Sequence, residues 1–76
     1  MNIKIIGYNC SNGIKLKKNI SKINECNIDL ELLEGEEYLN RYDIKNIPGL
    51  IINDKKVSEG KVLNVREILR MIKVLS

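Results

Sequence analysis

"YDIKNIPGLIIND", residues 42–54, places Pro48, the only proline of the chain, at the start of an apolar segment. The residues "LIIN" at 50–53 predict a central strand covered on both faces, because such strands are continuously apolar. Proline cannot donate a hydrogen bond to a sheet, so its place before that strand needs an explanation. A cis Ile47–Pro48 bond, which turns the chain sharply, is one solution. Only ~5–6% of X–Pro bonds in folded proteins are cis, so spacing alone favours the trans isomer.

"GYNCSNGIKL", residues 7–16, places a cysteine between a short apolar run and a lysine-rich segment. That segment predicts a helix over 13–25, with Ser11 and Asn12 as N-cap residues. Unpaired N–H groups and the helix dipole stabilise a thiolate at a helix start, which makes Cys10 a candidate nucleophile. A lone cysteine more often only packs in such a turn and is inert, and that alternative stays open.

The rest of the pattern predicts one α/β domain over residues 1–76, in the order β-α-β-α-β-β-α. The reciprocal Asn64–Glu67 pattern marks the start of the last helix. The first crossover makes a parallel pair and the closing hairpin adds antiparallel strands. The result is a mixed four-stranded sheet with helices on both faces. The predicted strands are 2–6, 28–33, 50–53 and 56–59, and the first two helices are 13–25 and 36–42.

The second cysteine, Cys26, falls at the end of the predicted first helix, and Asn27 follows it as a left-handed C-cap. Cys26 is predicted to be a small, partly buried hydrophobic side chain. A helix between Cys10 and Cys26 separates them by roughly 24 Å at ~1.5 Å per residue. Disulfide-bonded Cα atoms lie ~5.5 Å apart, so an internal disulfide is not expected.

The composition points to a globular protein, because 43% of the 76 residues are hydrophobic and 30% are charged. A net charge of +3 is too small to indicate a nucleic-acid partner. No apolar run approaches the ~20 residues that span a bilayer, and the N-terminal run is too short for a signal peptide. We therefore expect a cytoplasmic protein without a membrane partner. The lysines of the first helix predict a solvated face or, less often, a surface for an anionic partner: Lys15, Lys17, Lys18 and Lys22.

Three motifs together resemble the thioredoxin superfamily, in particular its small, glutaredoxin-sized members often called redox-active disulfide proteins. "IKIIGYNCSNGIKL" at 3–16 is similar to that family's strand–CxxC–helix opening. "YDIKNIPGLIIND" is similar to its tyrosine, isoleucine and proline block ahead of an apolar strand. "KKVSEGKV" at 55–62 is similar to its closing edge strand with a glycine. The resemblance runs nearly end to end, and the proline block is its most specific part.

The resemblance implies a thioredoxin-like fold and a redox site. Cys10 would attack a substrate disulfide, and Pro48 would be cis and abut the nucleophile. The backbone N–H and C=O of Ile47 would pair with a bound peptide. Further substrate-binding positions are implied around the thiol: Tyr8, Asn9, Ser11 and Asn12. The departure is Gly13, which stands where the family has its resolving cysteine, so no internal CxxC disulfide can form.

The predicted function is thiol–disulfide exchange through Cys10 alone, with an external thiol resolving the mixed disulfide. Protein or small-molecule thiols and disulfides are the expected partners of a monomer, which oxidation would link into a dimer through Cys10. One alternative is a catalytically inactive module that binds an extended peptide at the Pro48 groove.

A lesser alternative is a soft-metal domain of ferredoxin-like fold. Soft metals need a second thiolate, which Gly13 does not supply. No cofactor is expected either, since "CSNG" lacks the CGFS signature of cluster-binding monothiol glutaredoxins. The absence of histidine excludes Cys–His catalytic pairs and zinc fingers that need histidine.

Overall fold

The predicted element order is confirmed by a computed structural model, which describes residues 1–24 and 27–75. No helix in these two ranges is long and apolar enough to cross a bilayer. The elements are β1 (Asn2–Ile6), α1 (Ser11–Ser21), β2 (Asp29–Leu33), α2 (Glu36–Arg41), β3 (Gly49–Ile52), β4 (Lys55–Glu59) and α3 (Val65–Leu75).

The four strands form one mixed sheet in the order β2-β1-β3-β4. β1 pairs with β2 in parallel, and β3 pairs with both β1 and β4 antiparallel. This is the predicted thioredoxin-like arrangement, with a parallel crossover followed by a closing hairpin. The ferredoxin-like alternative is wrong, because β4 leads into α3 where that fold would place a final strand.

Helices cover both faces of the sheet, as predicted. Side chains alternate along β1, so Ile3 and Ile5 pack in the cluster that contains α1 and α3 residues, while Ile6 packs in the cluster on the α2 side. β3 is buried along its whole length, as expected for a strand covered on both faces. The larger cluster consists of Ile3, Ile5, Leu16, Ile20, Ile23, Leu50, Ile52, Ile68 and Ile72, and the smaller one of Ile6, Ile44 and Ile51.

The limits of α1 differ from the prediction at both ends. The helix begins at Ser11, and its N-cap is Cys10 rather than Ser11 or Asn12, because the sulfur takes the capping place. It ends at Ser21, where the chain tightens into hydrogen bonds from Lys22 N–H to Asn19 C=O and from Ile23 N–H to Ile20 C=O.

Lys22 is thus the C-cap of α1, and the prediction of Asn27 in that role is wrong. The predictions made for Cys26 lie outside the described residues. At β2, α2, β3 and β4 the observed ends differ from the predicted ends by one residue.

The reciprocal cap predicted at α3 is confirmed. Asn64 Oδ1 accepts from the Glu67 N–H at 2.8 Å, and Glu67 Oε1 accepts from the Asn64 N–H at 3.1 Å. We expect Asn64→Ala to lower the free energy of unfolding by about 1 kcal/mol in urea denaturation. Asn40→Ala, at an exposed position of α2, is the control and should change it by less than about 0.5 kcal/mol. Equal effects of the two variants would contradict a specific cap.

The charges are segregated between the two faces. α1 and α3 together carry six basic residues, Lys15, Lys17, Lys18, Arg66, Arg70 and Lys73, against one acidic residue, Glu67. On the opposite face, α2 and the sheet side chains that share a face with Leu33 carry five acidic residues, Asp29, Glu31, Glu36, Glu37 and Glu59, against three basic residues, Lys4, Arg41 and Lys56. The net charge of +3 is therefore distributed unevenly, with a basic and an acidic side of the protein.

Candidate thiol site

Cys10 lies where the chain leaves β1 and enters α1, and its half-buried thiol makes two hydrogen bonds to backbone. Sγ accepts from the Gly13 N–H at 3.3 Å and donates to the Gly7 C=O at 3.4 Å. The first contact satisfies one of the free N–H groups of the helix start, the role usually taken by a serine or aspartate oxygen. The N–H contact suits a thiolate, and the carbonyl contact suits a protonated thiol.

Gly7 connects the thiol to the loop that contains Pro48. Its φ is +78°, and a Cβ built on it would lie 2.5 Å from Ile47 Cγ2. The Ile47 side chain therefore packs directly against Gly7, whose carbonyl accepts from Cys10. The sequence analysis missed this contact. The available signal was a glycine placed between the end of a strand and a cysteine.

The Ile47–Pro48 peptide bond is cis, the isomer that the family resemblance implies. Pro48 is fully buried, and its C=O accepts from the Gly60 N–H at 2.9 Å. Ile47 is different, because its side chain is 47% exposed. Within ranges 1–24 and 27–75, no residue hydrogen-bonds to its backbone N–H or C=O. This residue thus offers a free backbone donor and acceptor in the loop that packs against Gly7, whose carbonyl accepts from Cys10.

At Gly13, the backbone of Tyr8 fills the space that a side chain would need. A Cβ at this buried position would lie 2.5 Å from the Tyr8 carbonyl oxygen and 2.8 Å from its carbonyl carbon. Real Cβ atoms essentially never approach backbone so closely. The loop before Cys10 is therefore shaped around the missing side chain at position 13.

The other predicted site residues lie around the thiol but are not all directed to it. The half-buried Tyr8 packs against the α1/α3 side of the core. Asn9 is exposed, and its Nδ2 donates to Glu34 Oε2 at 3.0 Å, toward the end of β2. Ser11 is exposed and Asn12 half-buried in the first turn of α1, where neither serves as the cap.

A soft-metal site would need more donors than Cys10. In the part of the chain that the structure describes, no three His, Cys, Asp or Glu side chains are grouped as metal ligands would be. The sulfur contacts come from Gly7 and Gly13, which contribute only backbone groups.

β4 holds the connection before Pro48 through two side chains that sequence analysis missed. Glu59 Oε2 accepts from the N–H groups of Lys45, at 2.7 Å, and Asn46, at 3.1 Å. Lys56 Nζ donates to Glu59 Oε1 at 3.2 Å and to the Asp43 C=O at 2.9 Å. Except for the Lys56–Glu59 pair, these contacts join residues 13 or 14 positions apart in the sequence, so no local motif predicts them.

The hydrogen bonds from Lys45 and Asn46, with the Lys56 ammonium, lower the pKa of Glu59 from 4.5 to about 2. Because the folded pKa is the lower one, the stabilisation is complete above pH 4.5 and is lost as the pH falls toward 2. We expect the free energy of unfolding, measured by urea denaturation between pH 6 and 3, to fall in this window. Glu59→Gln should fall less steeply. Parallel pH profiles for the two proteins would contradict the assignment.

Comparison with known families agrees with the geometry. A family model described as a thioredoxin domain matches residues 1–73. No significant match was found among curated proteins or among solved structures.

Proposed function

The chain belongs to the thioredoxin domain family, and on that premise we propose that it catalyses thiol–disulfide exchange through Cys10 alone. The observation that carries the proposal is the placement of the Cys10 sulfur. It accepts the Gly13 N–H at the start of α1, and through Gly7 it adjoins the loop of the cis proline. The thiolate is the attacking species in exchange, and the Gly13 N–H can donate a hydrogen bond to the Cys10 sulfur in that form.

The exchange proceeds in two substitutions at sulfur. The Cys10 thiolate attacks one sulfur of a disulfide, so that a mixed disulfide forms and the other sulfur leaves as a thiolate that takes up a proton. The thiolate of an external small thiol then attacks the mixed disulfide and releases Cys10. This second step leaves a mixed disulfide between the external thiol and the substrate, which a second external thiolate attacks away from the protein with release of the substrate thiolate, so that overall one disulfide is reduced and two external thiols become one disulfide.

External resolution follows from position 13. Glycine supplies no sulfur there, and the Tyr8 backbone occupies the adjoining space. We propose protein or small-molecule disulfides as substrates and a cytoplasmic location, where thiols are kept reduced. The working form would be a monomer, and oxidation would join two copies through Cys10.

A second function is favoured by the exposed Ile47. Its free backbone groups and half-exposed side chain could hold an extended peptide without any sulfur chemistry. In that case the protein is a peptide-binding module with an idle thiol. Peptide binding that survives Cys10→Ser, combined with no catalysed exchange by the wild type, would favour this function.

The test is the reduction of a small mixed disulfide by glutathione, with wild type, Cys10→Ser and Cys26→Ser compared at equal concentration. Catalysis by wild type and Cys26→Ser, but not by Cys10→Ser, is expected. A wild-type rate equal to the rate without protein would overturn the proposal.

A further inference from the structure

We propose that Glu59 is a positioning residue that holds the free backbone groups of Ile47 in place for pairing with a bound extended peptide. The inference rests on the proposed function, because it concerns how a peptide disulfide is held at Cys10. It is carried by the hydrogen bonds of the connection before Pro48.

Glu59 occupies two donors in the connection before Pro48. Its Oε2 accepts from consecutive N–H groups, those of Lys45 and Asn46. On the other side of Ile47, the C=O of Pro48 is occupied by the N–H of Gly60 at 2.9 Å. Between these occupied groups, the N–H and C=O of Ile47 have no partner within residues 1–24 and 27–75.

A donor and an acceptor on one residue suit an extended partner. In antiparallel pairing, two opposed residues exchange both N–H···O=C bonds, so one peptide residue can pair fully with Ile47. The N–H groups of Lys45 and Asn46 and the C=O of Pro48 are already bonded and do not take part in this pairing. Glu59 therefore holds the segment before Ile47 in place, and with it the donor and acceptor that pair with the peptide.

An irregularity in β4 explains why Glu59 reaches this loop. Residues three apart in a regular strand point to opposite faces. The pairing of β4 with β3 shifts register between Leu50 and Ile51, so Ser58 pairs with Leu50 but Lys56 pairs with Ile51. The extra residue, Val57, brings Lys56 and Glu59 to the same face. Lys56 Nζ then forms an ion pair of 3.2 Å with the Glu59 carboxylate.

The test measures a peptide's contacts apart from catalysis. The full chain with Cys26→Ser is prepared as a mixed disulfide between Cys10 and 2-mercaptoethanol. It is equilibrated with a blocked pentapeptide that has a central cysteine between alanines, and the two mixed disulfides are quantified by mass spectrometry. One disulfide replaces another, so no net oxidant is needed. The reference is the same peptide with methylated backbone nitrogens at the residues on either side of its cysteine. Methylation removes the N–H donors of those residues.

We expect the Cys26→Ser protein with Glu59 intact to favour the unmethylated peptide over the methylated one by about 3- to 10-fold, as one or two hydrogen bonds allow. Glu59→Ala and the shorter Glu59→Asp should reduce that ratio toward one. Glu59→Gln should keep most of it, because an amide oxygen still accepts from the loop. Glu37→Ala, which removes an exposed carboxylate from α2, is the charge control and should leave the ratio unchanged.

Two results would overturn the inference: no preference in the Cys26→Ser protein with Glu59 intact, or a preference that both Glu59→Ala and Glu59→Asp retain. If Glu59→Ala does not fold, Glu59→Asp decides, because it keeps the charge and withdraws the carboxylate. Failure here is distinct from failure of the proposed function. The equilibrium needs only that Cys10 forms a mixed disulfide, whereas the glutathione assay measures turnover.

Discussion

Cys10→Ser should reduce the catalysed reduction of a small mixed disulfide to the rate without protein. A hydroxyl does not form the mixed disulfide on which the exchange depends. No other sulfur can take over at position 13, which is glycine. The expected loss is therefore complete, and it is the largest effect of any single substitution considered for this site.

The same variant should leave the fold intact, which makes the result interpretable. Serine is among the best N-cap residues, and its oxygen can accept from the Gly13 N–H as the sulfur does. The free energy of unfolding should change by less than about 1 kcal/mol in urea denaturation. Residual catalysis by folded Cys10→Ser would contradict the role of Cys10, whereas loss of folding would indicate that the sulfur is mainly structural.

Gly13→Cys, which rebuilds a CxxC sequence, should destabilise the protein rather than give it a resolving thiol. Any Cβ at this position meets the Tyr8 carbonyl group at 2.5–2.8 Å. Gly13→Ala isolates that contact. Alanine gains roughly 1 kcal/mol over glycine in a helix interior, and overpacking of a buried position costs about 1–3 kcal/mol. Because the clash involves backbone, we expect the cost to exceed the gain, with a net loss of about 1–2 kcal/mol.

Urea denaturation of Gly13→Ala and Gly13→Cys measures that loss, and Ser11→Ala in the same helical turn is the control. Ser11 is exposed and does not cap α1, so its replacement should change the free energy of unfolding by less than about 0.5 kcal/mol. Equal or greater stability of Gly13→Ala would show that the Tyr8 loop yields easily. A fast internal disulfide in Gly13→Cys would show the same.

Much of the fold could be predicted from the sequence because its signals are local. The apolar runs of β1 and β3 and the Asn64–Glu67 cap act within a few residues, and each is found where the pattern places it. α1 starts earlier than predicted because the Cys10 thiol is its N-cap. N-cap preferences favour serine and asparagine over cysteine, so the sequence pointed to Ser11 or Asn12 instead.

The site was less predictable because its defining contacts are between distant segments. The position of Cys10 at a strand–helix junction follows from local pattern. The packing of Ile47 against Gly7 depends on how a loop 40 residues later returns to β1. The bonds from Glu59 to Lys45 and Asn46 require a register shift in β4, and nothing in "KKVSEG" specifies where that shift occurs. The cis isomer of Pro48 was implied by family resemblance and not by the residues alone.

The segregation of charge between the two faces has a consequence for how molecules approach. α1 and α3 carry six basic residues against one acidic residue, whereas the α2 face of the protein carries five acidic residues against three basic ones, so the protein is an electric dipole as well as a cation. The electric field orients an approaching anionic protein toward the α1/α3 side at distances of about one Debye length, ~8–10 Å. A small uncharged disulfide is not oriented in this way. Added salt should therefore slow encounters with acidic proteins while leaving those with uncharged substrates unchanged.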